Sequence, residues 1–231
     1  MPKAPYTGTR FTGGELIRNI AVGMSDGLTV PFALDAGLSA AISSSHIIVV
    51  AGLAEIAAGS IARGLGGLVA VRTDAEHYEQ ALLRERRDVE TIPEDGVKEV
   101  VDIFQRYGLT QEECQPVVNA LRSKPKAWVD FMMRFELGLE EPDRRRALGG
   151  AITVALAYIV GGFVPLSPFI LTSQVHSGLL LSIPVTLAAL FIFGFLKARF
   201  TGAPTFRGAL QTLIIGALAA GAAYLVGRWI S

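Results

Sequence analysis

The chain has 231 residues, of which 51% are hydrophobic, and a mean hydropathy of +0.43, too apolar for an ordinary soluble domain and long enough for several membrane spans. Its formal net charge is zero, yet 30 of its 42 charged residues lie between Arg72 and Arg146, with 13 basic and 17 acidic, a balance that argues against a nucleic-acid surface. One cysteine, Cys114, excludes an internal disulfide framework and any cysteine-cluster metal site.

The first residues, Met1 to Gly14, are polar and lack a cleavable apolar core, so no signal peptide is expected. Five apolar segments then have the roughly 20 residues a bilayer-spanning helix needs: 18–42, 47–71, 147–170, 178–197 and 207–227. The first two are joined by Ser43-Ser44-Ser45-His46, and the third and fourth by a loop from Pro165 to Ser177 without Lys or Arg. Basic residues collect at the other ends: Arg10 and Arg18, Arg72, Arg144 to Arg146, then Lys197, Arg199 and Arg207. The positive-inside rule therefore places the N-terminus and the polar segment in the cytosol, with only Arg228 disagreeing. Small residues are dense in the spans, as in Gly161-Gly162, and suit close helix packing.

The first span is the least uniform. It carries Ser25-Asp26-Gly27, then Pro31 and Asp35, and the second carries Glu55. An acid at the centre of a membrane helix costs about 2.5 to 3.5 kcal/mol on insertion scales, so such residues face a bundle interior or an aqueous route. Three carboxylates in adjacent spans point to a route for a cation. Arg63, eight residues beyond Glu55 on the same helix, is about 12 Å from it along the axis. It would either repel a dication at Glu55 or snorkel toward the headgroups.

The polar segment reads as helices. From Asp74 to Glu90 no Gly or Pro interrupts, so the second span continues into it. Pro93 opens a new helix whose Val97, Val100, Val101 and Phe104 form one apolar face, ending near Gly108. Thr110-Gln-Glu-Glu113 reads as a capping box before a short helix, and Lys126 to Leu137 forms the last. On that last helix Met132 and Met133 share a face with Glu136, at spacings of four and three. Sulfur beside carboxylate oxygen suits a borderline transition ion better than magnesium or calcium. Glu85 with Asp88 and Glu99 with Asp102 are further acidic pairs at helical spacing. Read blandly, the methionines fill a core and the acids are solvated.

Ser25-Asp-Gly-Leu-Thr-Val-Pro-Phe-Ala-Leu34, Ala51-Gly-Leu-Ala-Glu-Ile-Ala-Ala-Gly-Ser60, Trp128-Val-Asp-Phe-Met-Met-Arg-Phe-Glu-Leu-Gly-Leu-Glu140 and Arg199-Phe-Thr-Gly202 resemble the vacuolar iron transporter family across nearly the whole chain. The resemblance implies a five-span homodimer that moves ferrous iron out of the cytosol in exchange for protons. In that family the path lies at the dimer interface and a cytoplasmic helical domain gathers metal. Carried over by position, Asp26 and Glu55 match membrane carboxylates, and Glu85, Glu99, Glu136, Met132 and Met133 match ligands of the cytoplasmic domain. Asp88 stands where the family commonly has Glu. Three positions depart: Gly96 replaces a liganding Glu, Arg63 a pathway Met, and Asp35 a usual Ala.

The expectation is an all-α, polytopic membrane protein of five transmembrane helices with an inserted cytoplasmic helical domain. Residues 1–71 and 147–231 hold the spans, and 72–146 the metal-binding domain. Asp26, Glu55, Arg63 and Asp35 are assigned to the transport pathway, and Glu85, Asp88, Glu99, Glu136, Met132 and Met133 to metal binding. The cargo would be Fe2+, with Zn2+, Mn2+ or Co2+ as further candidates, exchanged for protons across a vacuolar membrane in a eukaryote or the inner membrane in a bacterium. The protein would work as a homodimer in a lipid bilayer, without nucleic acid. No nucleophile and base pair is present, so an enzyme is not expected. The rival reading is a slow or non-transporting membrane metal sensor or buffer of the same fold. Cys114 would serve as a thiol reporter of sidedness.

Overall fold

The computed structural model describes the backbone of residues 10–231 and the side chains of residues 14–143 and 146–231. The stretch before residue 10 lies outside the described residues, as do the side chains of Arg10, Arg144 and Arg145, whose charges enter the topology argument. The described residues form helices α1 (Arg10–Ala41), α2 (Ser45–Thr91), α3 (Pro93–Arg106), α4 (Gln111–Arg122), α5 (Pro125–Phe135), α6 (Arg144–Leu171), α7 (Val175–Thr201) and α8 (Thr205–Ile230), with no strand among them. They divide into two compact units, Met1–Leu68 with Arg145–Ser231, and Val69–Arg144.

By length and composition four helices are apolar enough to cross a bilayer: α2, α6 from Arg146, α7 and α8. Helix α1 falls outside that group although it is 32 residues long, because Asp26 and Asp35 stand in its middle and dilute its apolarity. Instead it is the packed centre of its unit. Leu28, Phe32 and Ala36 are all buried, and Phe32 and Ala36 pack with Ala220 of α8 and Leu179 and Leu187 of α7. Against α6 the backbones nearly touch. A methyl added at Gly27 would lie 2.3 Å from the carbonyl oxygen of Tyr158, so this crossing requires glycine.

Helix α6 differs from expectation by running through Pro165 and Pro168 to Leu171, where a loop was expected from Pro165. Pro168 has no N–H for the carbonyl of Val164, and the Ser167 hydroxyl donates to that oxygen instead at 2.9 Å. Ser182 of α7 donates to the carbonyl of Pro165 at 2.8 Å and fastens the two helices there. The connection to α7 shrinks to a few residues.

In the second unit the sequence signals act locally. Pro93 and Pro125 occupy first-turn positions of α3 and α5, where the missing N–H costs nothing. Thr110 and Glu113 form the expected capping box, with Glu113 N–H donating to Thr110 Oγ1 at 3.3 Å and Thr110 N–H to Glu113 Oε2 at 2.8 Å. Those bonds favour the ionised Glu113 and lower its pKa. Val100, Val118, Trp128 and Met132 make one core cluster, and Tyr78, Val129 and Met133 another. Cys114 is fully buried within α4, so it cannot report sidedness to an aqueous thiol reagent as the sequence invited.

Candidate functional site

In the membrane unit, Glu55, Gly59 and Arg63 are spaced by four along α2 and so form one stripe of that helix. The ring of Tyr158, from α6, lies over the glycine: a methyl at Gly59 would come within 2.5 Å of its hydroxyl oxygen. Seated there, the tyrosine serves both neighbours. Its hydroxyl donates to Glu55 Oε1, and its ring face lies 4.8 Å from the Arg63 guanidinium carbon. Arg63 Nε in turn donates to Asp26 Oδ2 of α1 at 2.6 Å. Asp26, Arg63, Tyr158 and Glu55 are thus one connected chain of polar groups across three helices.

This geometry corrects the two roles considered for Arg63. The guanidinium neither snorkels away nor stands as an uncompensated cation beside Glu55; Asp26 neutralises it. The reason is packing, since the α1 crossing brings Asp26 opposite the stripe one turn beyond Gly59. Sequence reasoning missed Tyr158. Its only signal was a phenol in the middle of an apolar segment, where a buried hydroxyl needs a partner.

Asp35 is fully buried, and neither of its carboxylate oxygens has a hydrogen-bond partner among the described residues. The second oxygen of Glu55, Oε2, is likewise buried and unpartnered. The membrane unit therefore contains both a satisfied acid, Asp26, and two that are incompletely satisfied.

In the second unit a cavity of about 750 Å³ is lined by Glu85, Asp88, Glu99, Met132 and Glu136, together with Asp95 and His77. Glu85 is nearly buried, and burial with the charges of Glu99 and Asp88 raises its pKa above the usual carboxylate value. Glu99 is raised by burial and by Glu136, Asp95, Asp88 and Asp102, and Glu136 by burial, Glu85 and Asp88, with Arg84 opposing. Among the described residues no three His, Cys, Asp or Glu side chains stand close enough to hold an ion between them. The cavity thus holds an acidic field without a formed ligand cage.

The two methionines part company. Met132, 1% exposed, belongs to the core and also to the cavity wall; Met133, 2% exposed, packs into the core with Tyr78 and Val129. His77 and Asp95 were passed over in sequence. His77 stands about two turns before Glu85 on α2 and reaches the same cavity.

The raised carboxyl pKa values have a stability consequence of definite sign. Acids that hold protons more tightly in the folded protein favour folding most below their unfolded pKa, and that contribution is lost as pH rises through the raised folded values. Without divalent metal, the thermal midpoint should therefore fall from acidic toward neutral pH. Added Mn2+ should raise the midpoint more at pH 7 than at pH 5. Scanning fluorimetry at both pH values checks this, and a metal shift that grows on acidification would contradict it.

Gly96 has a physical reason to be glycine here. A methyl at that position would lie 2.9 Å from Trp128 Cζ2, so the indole occupies the space a longer side chain would need. Trp128 is 2% exposed and central to the core. Gly96→Glu should therefore lower the melting temperature and leave metal affinity unimproved. Tightened binding with unchanged stability would show that the indole yields freely.

The sequence profile of the VIT family matches residues 17–228. Vacuolar iron transporter 2 of Oryza sativa subsp. japonica is 54% identical over 219 residues, covering 95% of this chain and 89% of that protein. Vacuolar iron transporter 1 of Arabidopsis thaliana is 50% identical over 223 residues, covering 96% and 89% respectively. Protein CCC1 of Saccharomyces cerevisiae is 34% identical over 218 residues, covering 91% of this chain and 67% of that one. With similarity along nearly its whole length, the chain belongs to the VIT family.

Proposed function

We propose that this protein moves ferrous iron, and related divalent transition ions, out of the cytosol across a membrane in exchange for protons. It does so as a homodimer whose protomers each contribute five spans, with α1 as the first. Relatives named vacuolar iron transporters support the cargo and, in a eukaryote, the vacuolar membrane. The observation that carries the reading is Glu55, an ionisable side chain held by Tyr158 within an apolar helix with its second oxygen left open. Such a group binds a cation or a proton in turn, which is what exchange requires.

In this scheme the acids at the cavity of the second unit raise the local concentration of metal on the cytosolic side. Glu85, Asp88, Glu99 and Glu136 supply the charge, and Met132 adds a soft atom in the wall. Met133 would contribute only after leaving the core, so its part is to position the helix. Asp26 and Glu55 pass the ion through the bilayer, and their reprotonation returns the proton. Purified protein in proteoliposomes should take up Fe2+ and Mn2+ faster than Ca2+ when the lumen is acidic. Uptake equal to empty vesicles for every ion would overturn the reading.

One observation favours the slower variant of this scheme. Arg63 holds Asp26 in an ion pair, so the resting chain presents one pathway acid already neutralised. A membrane metal sensor or buffer of the same fold would have the same feature and no flux.

Sidedness is tested at Tyr107, which is 77% exposed, because Cys114 is buried. In a Cys114→Ser background, Tyr107→Cys should be labelled by an impermeant maleimide from the cytosolic side. Labelling from the opposite side would invert the topology.

A further inference from the structure

We propose that Asp35 and Glu55 together form a divalent-cation site inside the membrane unit, made of carboxylate oxygens alone on the protein side. Asp35 is 0% exposed and both its oxygens lack a partner, while Glu55 keeps Oε2 buried and open because Tyr158 engages only Oε1. Three open acceptor oxygens therefore sit in the interior of one unit. Leaving them so costs several kcal/mol per ionised group unless the group takes up a proton or meets a cation.

A glycine of α2 faces Asp35 just before Glu55. Gly52 lies one turn before Glu55 on the same face of α2. A methyl there would be 3.3 Å from Asp35 Oδ1 and 2.5 Å from Leu166 Cδ1, so the α1 carboxylate lies close against that turn of α2. Among the described residues, the partners around the two acids at this level are uncharged. From α6 comes the neutral phenol of Tyr158, from α8 Tyr224 beside Ala36, and from α7 the apolar Leu179 and Leu187. Arg63 is held by Asp26 further along α2.

Chemistry selects the occupant. A single proton shared between the two acids neutralises only one of their charges, whereas a dication matches both. Oxygen donors alone favour hard divalent ions, Mn2+ among them, with water completing the shell. The inference deepens the transport reading by adding Asp35 to Glu55 as ligand, and its binding arm stands without any flux.

The test uses the full chain in nanodiscs with Glu85, Glu99 and Glu136 changed to Gln and Asp88 to Asn, which removes the four carboxylates assigned to metal in the acidic cavity. Mn2+ is the probe, read by loss of the free-ion electron paramagnetic resonance signal at constant pH. About one Mn2+ per chain should remain bound. Asp35→Asn, nearly isosteric and free of the buried charge, should raise Kd by at least about tenfold. Asp35→Ala should do the same, and gel filtration with the melting temperature shows that both fold. No Mn2+ binding in the background protein, or Kd within about twofold after Asp35→Asn, would overturn the site. Flux in the parent with unaltered binding in Asp35→Asn would sink this inference and spare the transport reading. Binding lost in Asp35→Asn by a parent without flux would do the reverse.

Discussion

Replacing Arg63 with methionine is expected to raise metal flux by roughly tenfold or more at subsaturating ion. The guanidinium nitrogen lies 2.6 Å from Asp26 Oδ2, so an ion arriving at Asp26 must first displace a cation already in place. At an effective dielectric near 20, opposite charges about 4 Å apart attract by about 4 kcal/mol. The side chains are 31% and 43% exposed, which weakens that figure, yet even a third of it corresponds to about a tenfold change in occupancy. Arg63 alone would also repel a dication at Glu55, but Asp26 offsets most of that. The effect therefore belongs at Asp26. Arg63→Lys should keep the low rate, because the charge stays. Equal flux in Arg63→Met and the parent would mean that Asp26 lies off the route.

Changing Glu55 to glutamine should reduce flux at least about a hundredfold, the largest loss expected from any single substitution. A dication and a carboxylate about 4 Å apart attract by about 8 kcal/mol at a dielectric near 20, and the amide removes that term. The fold should survive, because the amide oxygen still accepts from the Tyr158 hydroxyl as Glu55 Oε1 does now. A melting temperature close to the parent's with flux gone separates a binding defect from an unfolded protein. Retained flux in Glu55→Gln would place the ion's path elsewhere.

Depth and acidity were visible in the sequence, because a carboxylate within an apolar segment stands out by composition alone. Asp26, Asp35 and Glu55 were all found that way. Which acid meets which partner was not visible, since it depends on the rotation of α1 against α2 and α6, set by glycine contacts such as Gly27 on Tyr158 and Gly59 under its ring. Hence Arg63 was found as a charge but not as half of an ion pair. In the second unit, helix starts at Pro93 and Thr110 follow local rules and were legible. The division of Met132 from Met133 was not, because adjacent helix residues stand about 100° apart and which cluster each meets depends on how α5 packs. Helix α6 outran its expected end because a serine hydroxyl repaired what a proline removed.

The central claim is that one chain exchanges metal for protons through Glu55. It is tested most directly by recording luminal pH and Fe2+ uptake together in proteoliposomes that carry an acidic lumen. Lumen alkalinisation should start with Fe2+ addition, scale with uptake and vanish in Glu55→Gln. Fe2+ uptake with no change in luminal pH, or the same alkalinisation in Glu55→Gln, would contradict it.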